Sequence, residues 1–550
     1  MRQDPATDVS PAAKGAGVVL ATLATGQFLM ALDTSVMNVS IAQVAADVGT
    51  TVTGVQGAIT AYTLVMAILM IPGGKVGTII GHKRAFIVGS VIYGCGSLTT
   101  SLAQSLEVLL FGWSFLEGVG AALILPAIVA LVAGNFPPER RPAVYGLVAA
   151  AAAVAVAAGP LIGGAATTYA SWRLVFAGEV ALVVVILVLG RRVSDAPSTG
   201  RSRIDYLGGV LSAIGLGAFV YGVLRSGEWG WVAPKADAPV WFGLSPVPWL
   251  LCLGLFALWL FLQWEDRIIS KDREPLVDIR VLQSPQLRAG LTGFFFQFLI
   301  QMGLFFLLPL YLSVALGLTA METGVRIMPL SITLFAAAIG IPKLLPDASP
   351  RTVVRVGLGS MAAGILILMG AIEPDAGAEI VTVPLLLAGF GVGALASQLG
   401  AVTLGSVADE KSGEVGGLQN TVTNVGASIG TALVGSLLIA TLTSSFLLNV
   451  QASPDIPAQA KEQAQVELAS GVPFISDKEL QAKLEELGAS TPAAEAAIQA
   501  NADARLTGLK SGLAVLALAS LLAMFFARGL PQRSAAAGHI EPGDEPAAAT

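Results

Sequence analysis

The sequence predicts an all-α integral membrane protein of fourteen spans, and three observations carry that reading. Of the 550 residues, 54% are hydrophobic and 12% charged, where soluble domains carry about 25% charged residues. Apolar runs long enough to cross roughly 30 Å of hydrocarbon recur along the whole chain. Three of these runs each contain an acid, Asp33, Glu117 and Glu179, and an ionisable group among lipid-spanning residues marks an ion or substrate path.

The runs fall at 17–42, 53–74, 85–103, 105–134, 142–166, 172–190, 205–225, 246–264, 288–316, 323–346, 352–372, 379–406, 414–446 and 507–528. Each is expected to be a helix, because lipid offers no partner to a free backbone N–H or C=O. The first is too long for a cleaved leader and carries Asp33 within LDTSVMNVSI (Leu32 to Ile41). The second and third flank a basic turn, GGKVGTIIGHKR (Gly73 to Arg84), which anchors them to one membrane face. Ser114 and Glu117 lie in the fourth. The fifth carries Gly159, Pro160, Gly163 and Gly164, a small-residue face with a kink site; it serves either plain close packing or a hinge. Glu179, in the sixth, lies nearer a span end, open either to proton handling or to a snorkelling, locally bonded role.

The seventh and eighth runs form an inserted pair, leaving six on each side. Residues 1–16 are then a tail, 17–190 the first six-helix bundle, 191–287 the inserted pair with its loops, and 288–446 five spans of the second bundle. The ninth span reads GFFFQFLIQMGLFF, which puts Gln297 and Gln301 four apart on one face among phenylalanines. That face suits either the wall of a binding cavity or contact with a neighbouring helix. Asn420 and Asn424 repeat the spacing in the thirteenth span, and Asn38 and Tyr62 join them as candidate substrate contacts. The stretch 447–506 looks soluble: Ser476-x-x-Glu479 reads as a capping box, Leu480, Leu484 and Leu487 follow at helical spacing, Gly488 is a stop, and a second helix starts at Thr491–Pro492. After the last span, 507–528, the tail 529–550 is expected to be disordered from Arg533 onward.

Orientation follows from the basic residues of the short connections. Lys75, Lys83, Arg84, Arg140, Arg141, Arg191, Arg192, Arg201, Arg203, Lys343, Arg351 and Arg355 all fall on the side of both termini, while the opposite loops after spans 1, 3 and 11 hold none. Both termini are therefore expected in the cytoplasm of a bacterial-type plasma membrane. Trp229, Trp231, Trp241 and Trp249 mark the outer interface. A weak internal repeat pairs Lys75 and Gly89 with Lys343 and Gly357, and Gly118 to Ala121 with Gly391 to Ala394, the signature of a two-half transporter.

Taken together, LDTSVMNVSI, GGKVGTIIGHKR, AGPLIGG (Ala158 to Gly164), SWR (Ser171 to Arg173), EPLVDIRVL (Glu274 to Leu282), PLYL (Pro309 to Leu312) and GLQNTVTNVGASIG (Gly417 to Gly430) resemble the 14-span drug:proton antiporter branch of the major facilitator superfamily. The resemblance covers nearly the whole chain. It implies two six-helix bundles that alternate access, a conformational role for Gly74, Lys75, Gly81, Lys83 and Arg84 and for Gly159, Pro160, Gly163 and Gly164, and proton coupling by Asp33. Four positions depart from the family pattern: Thr78 stands where the basic turn has an aspartate, Ser114 and Glu117 where span 4 has an arginine and a glutamine, and Glu179 where span 6 commonly has asparagine. A membrane cation is lost and acids are gained. An acid protonated while facing one side and deprotonated while facing the other is the minimal coupling device, so Asp33, Glu117 and Glu179 are the candidates for it.

Several classes are excluded. Cys95 and Cys252 form no CxxC pair, and His82 and His539 are the only histidines, so no metal site or other cofactor is expected. A GxxxxGK[ST] loop is absent, no nucleophile motif suggests an enzyme, and a net charge of -6 gives no reason to expect nucleic acid. The expected partners are a hydrophobic or cationic small molecule, protons and membrane lipids, with the chain acting as a monomer. A lipid or endogenous-metabolite exporter and a non-transporting receptor or scaffold remain as alternatives.

Overall fold

The computed structural model describes residues 11–137, 140–195, 205–235, 238–271, 273–373, 376–407, 412–468, 472, 474–486 and 490–532. Arg201, Arg203, Leu487, Gly488, the tail from Arg533 and the side chains of Asn38 and Arg141 lie outside what it describes.

Fourteen long helices follow one another: α1 (Pro11–Asp47), α2 (Val52–Ile80), α3 (His82–Ser101), α4 (Leu106–Asn135), α5 (Arg141–Tyr169), α6 (Arg173–Gly190), α7 (Tyr206–Trp229), α8 (Pro246–Ser270), α9 (Pro285–Ala315), α10 (Ala320–Leu344), α11 (Pro350–Ala371), α12 (Thr382–Leu404), α13 (Ser412–Ala452) and, after two short helices α14 (Ala458–Glu467) and α15 (Asp477–Glu486), α16 (Thr491–Phe526). Thirteen are long and apolar enough to cross a membrane. The other, α3, is a 20-residue helix in which glycine, serine and threonine dilute the hydropathy. It packs one face into the bundle, where Tyr93, Ser97 and Thr100 are buried, and leaves Val88, Val91 and Leu98 exposed on the other.

Each half has its own apolar core. Phe86, Trp113, Trp172 and Phe176 lie in that of α1–α6, and Leu304, Leu358, Leu395 and Leu516 in that of α9–α13 with α16. The repeat reappears as a packing device. A Cβ on Gly89 would lie 2.9 Å from the Gly120 carbonyl oxygen, and one on Gly357 would lie 3.0 Å from that of Gly391; both helix pairs, α3–α4 and α11–α12, cross backbone to backbone. The packing equates Gly120 with Gly391, whereas the sequence echo aligns Gly118 with Gly391.

Between the halves, α7 and α8 pack on each other and straddle the seam. Gly217 of α7 faces Ile68 of α2, while Ser226 of α7 shares a hydrogen bond with Ser436 of α13 at 3.1 Å.

The apolar runs at 414–446 and 507–528 understate their helices. α13 has 41 residues and α16 has 36, and the helix expected to begin separately at Thr491 runs without a break into the last span. Beyond the bundle these extensions enclose a small core of Leu442, Phe446, Val450, Ile456, Val472, Ala497 and Ala504. The amide of Ser476 donates to Glu479 at 2.8 Å and the Glu479 amide donates back to Ser476 Oγ at 3.3 Å, which starts α15. Arg505, only 3% exposed, donates to both oxygens of Asp477 at 2.7 Å and to the Ile475 carbonyl at 2.7 Å, tying the α15 end to α16.

Candidate functional site

Asp33 of α1, Glu117 of α4 and Glu179 of α6 come from separate stretches of sequence and meet. Each offers a carboxylate oxygen, and these atoms lie within 4.8 Å of one another. Asp33 and Glu117 are fully buried and Glu179 is 1% exposed.

Four neighbours hold the cluster, and three of them come from α3. Trp113 Nε1 donates to Asp33 Oδ1 at 2.7 Å. Thr100 Oγ1 donates to Glu117 Oε1 at 3.3 Å. Ser97 Oγ and Tyr93 Oη donate to Glu179 Oε2 at 3.1 and 3.4 Å. Sequence reasoning passed over all four, although the polar run Ser97 to Ser101 inside a span was a signal. One oxygen of each acid, Asp33 Oδ2, Glu117 Oε2 and Glu179 Oε1, has no hydrogen-bond partner. Among the described residues no ion pair reaches any of the three.

Glu117 closes a wider, π-helical turn, Leu110–Glu117, a local distortion frequent at functional sites. Gly96 makes room for it, since a Cβ there would stand 2.6 Å from Glu117 Cγ. Three carboxylates this close in a buried core repel one another, so uptake of a proton or of a cationic group releases electrostatic free energy. The oxygen-only donor set also suits a hard cation.

The other expected site residues are dispersed. Tyr62 is 3% exposed and stacks on Trp113 with ring centroids 5.3 Å apart, so it backs the carboxylate cluster. Gln297 and Gln301 are buried in α9, and the carbonyl oxygen of each side chain has no partner. Asn420 and Asn424 in α13 donate one turn back, to the Gly416 and Asn420 carbonyls at 2.9 and 2.8 Å. The two pairs occupy adjacent helices without a hydrogen bond between them. Ser114, at the position of the family arginine, donates to the Ala58 carbonyl at 2.7 Å.

In α5, Gly159 packs on Ser35 and Gly163 on Val36, both in α1 beside Asp33, while the Pro160 carbonyl meets Gly324 of α10. Gly164 is buried. The small-residue face therefore sits between the carboxylate helix and the second half. In the basic turn, Gly81 has φ +97°, a conformation that favours glycine, and the Lys83 amide donates to Asp195 at 3.0 Å. Lys83 Nζ donates to the Arg191 carbonyl at 3.1 Å, and Arg84 is exposed. Gly74 faces Pro126 of α4, and Lys75 is buried against the segment that follows α8.

The SWR motif is a three-way tie. Trp172 Nε1 donates to Asp47 at 3.0 Å. Arg173 stacks over Trp172, pairs with Asp47 at 3.1 Å and donates to the Ala103 carbonyl at 3.0 and 2.6 Å.

Known proteins share this architecture. The chain is 28% identical to a probable actinorhodin transporter of Streptomyces coelicolor over 76% of this chain and 72% of that one. It is 31% identical to the puromycin resistance protein of Streptomyces alboniger over 79% and 84%. A solved bacterial homologue of the human lysosomal transporter Spinster superposes with a TM-score of 0.56 at 15% identity, covering 94% of this chain and 98% of that one. Residues 23–431, from α1 with its acid to the α13 helix that packs on the inserted pair, match the family described as Major Facilitator Superfamily, and the chain belongs to that superfamily of membrane transporters.

Proposed function

We propose that this transporter exports amphipathic, drug-like molecules, cationic or neutral, in exchange for protons, by rocking its two six-helix halves about a midplane site. The observation that carries the proposal is the cluster of Asp33, Glu117 and Glu179, buried within 4.8 Å of one another and, among the described residues, with no side-chain cation paired to them. Binding a proton there relieves repulsion, and losing it restores a negative site that attracts a cationic substrate or the next proton. Gln297, Gln301, Asn420, Asn424, Asn38 and Tyr62 are assigned to the substrate path. The relatives named for an actinorhodin transporter and for puromycin resistance support export of compounds of that kind. The basic end of the bundle, with both termini, is placed in the cytoplasm of a bacterial-type plasma membrane, and the transporting unit is one chain in its lipid.

The test is uptake of a fluorescent cationic dye into inside-out vesicles on imposing a pH gradient, for the native chain and for Asp33→Asn, Glu117→Gln and Glu179→Gln. Gradient-driven uptake that is lost in Asp33→Asn or Glu117→Gln supports the assignment. Native vesicles that move no member of a broad drug panel, or variants that keep full gradient dependence, defeat it.

A further inference from the structure

The chain leaving α8 does not return directly to the membrane. It crosses beneath both halves at the basic end, and four contacts hold it there. Lys75 of α2, 8% exposed, donates to the Pro275 carbonyl at 2.7 Å and lies 4.0 Å from Glu274. Leu276 and Val277 sink into an apolar cluster with Ile71 of α2, Leu216 of α7 and Phe261 of α8, against which Leu418 and Val425 of α13 pack. Glu265, fully buried in α8, accepts the Leu276 amide at 2.9 Å. Glu414 of α13 accepts the Asp278 amide at 3.2 Å.

The segment thus joins α2 of the first half to α13 of the second. Thr78 lines the same cleft but donates its hydroxyl to the Gly74 carbonyl one turn back, at 3.3 Å, so it supplies no charged tie between the halves. We propose that residues 274–278 form a removable latch: a strap from the inserted helix pair that holds the basic end closed and must leave its cleft before that end opens. Its anchors are of two kinds. Backbone groups of the strap meet the buried side chains of Lys75 in α2 and Glu265 in α8 and the half-buried Glu414 of α13, and two adjacent apolar side chains fill the seam. The ties to Lys75 and Glu414 and the apolar filling are lost together when α2 and α13 separate, which makes release all-or-none, while Glu265 keeps the strap attached to α8. This role also gives α7 and α8 a function that a pair of lipid-facing spans lacks, because α8 fixes where the strap begins and supplies Glu265. The latch depends on alternating access and is independent of the compound carried.

The test uses the full chain with Cys95→Ser and Cys252→Ser and a reporter, Gly417→Cys. Gly417 is buried in the strap cleft and has nothing nearer than 3.9 Å to an added Cβ. Labelling by a membrane-impermeant maleimide is followed in vesicles of both orientations. Removing an anchor, by Glu265→Ala or Lys75→Met, is expected to raise the rate at Gly417→Cys roughly tenfold, on the scale of one charge-assisted hydrogen bond. A second reporter, Ser313→Cys at the opposite end, is expected to stay as slow as in the parent or slower. Unchanged labelling at Gly417→Cys in both anchor variants overturns the latch, as does a parallel rise at both reporters, which is loosening of the whole bundle. If labelling responds while dye uptake is absent even in the parent, the latch stands and the drug-export reading falls. If uptake is intact and labelling does not respond, the reverse holds.

Discussion

Replacing Gly96 by alanine tests how closely the carboxylate cluster depends on its packing. The added methyl would stand 2.6 Å from Glu117 Cγ, 2.7 Å from the Gly112 carbonyl oxygen and 2.9 Å from the Glu117 amide nitrogen. Two of those three atoms are backbone and cannot swing aside. Carbon atoms in ordinary contact lie about 3.5–4.0 Å apart, so α3 and α4 must separate by roughly 1 Å. Overpacking of this kind costs about 1–3 kcal/mol, and the gain in helix propensity from glycine to alanine returns about 1 kcal/mol. The expected net loss of stability is therefore about 1 kcal/mol. Function should suffer more, because the same displacement carries Glu117 relative to Asp33 and Glu179 and pulls Thr100 from its carboxylate. Gradient-driven dye uptake is expected to fall roughly tenfold, the effect of about 1.4 kcal/mol on a rate. Gly178→Ala is the control. It lies next to Glu179 in sequence but is exposed, with nothing within 4 Å of an added Cβ, so it should gain up to about 1 kcal/mol and transport at the native rate. Thermal unfolding in detergent and vesicle uptake, run in parallel, decide the matter. A Gly96→Ala protein as stable as Gly178→Ala and as active as the native chain would refute the reasoning.

Two further outcomes are expected. Arg173→Lys keeps the charge but loses the planar fork that reaches Ala103 and Asp47 together; it should destabilise the first half by about 1–3 kcal/mol, read as a lower unfolding temperature that Asp47→Asn reproduces in part. Asp477→Asn leaves buried Arg505 with a neutral partner; because the Asp477 side chain is itself 42% exposed, the loss is expected to be about 1.5–3 kcal/mol, that of a hydrogen bond to a charged group. Limited proteolysis should then cut near α15 much faster while the membrane bundle stays intact, and an unchanged cleavage rate would rule out Arg505 as the tie of that region.

Hydrophobic runs located the spans because burial of backbone polar groups in lipid leaves helices as the single solution for each run. They marked the apolar stretch and not the helix: α1, α13 and α16 continue past their runs, and α14, whose sequence AQAKEQAQVE has no apolar stripe, gave no signal. The three acids were conspicuous one by one because each breaks an apolar run. Their convergence was not, since it depends on how α1, α4 and α6 rotate about α3, and rotation is set by contacts such as Gly96 on Glu117 and Gly89 on Gly120 that no periodicity encodes. For the same reason nothing in the sequence singled out Trp113 and Tyr93. The segment EPLVDIRVL was visible as a motif, but its docking on Lys75 joins residues two hundred positions apart and belongs to tertiary structure alone.

The length of α13 turns a small motion into a large one. With 41 residues at about 1.5 Å each, it is roughly 60 Å long against roughly 30 Å of hydrocarbon, and its far end is welded to α16 by Phe446, Val450, Ala497 and Ala504. The pair is a lever whose short arm is packed among the helices that move. Any tilt of the second half is multiplied at the tip, where α14 and α15 ride. A fluorophore there would act as a pointer for the state of the bundle, and a binder that clamps the tip would hold the bundle at a distance, without entering the membrane.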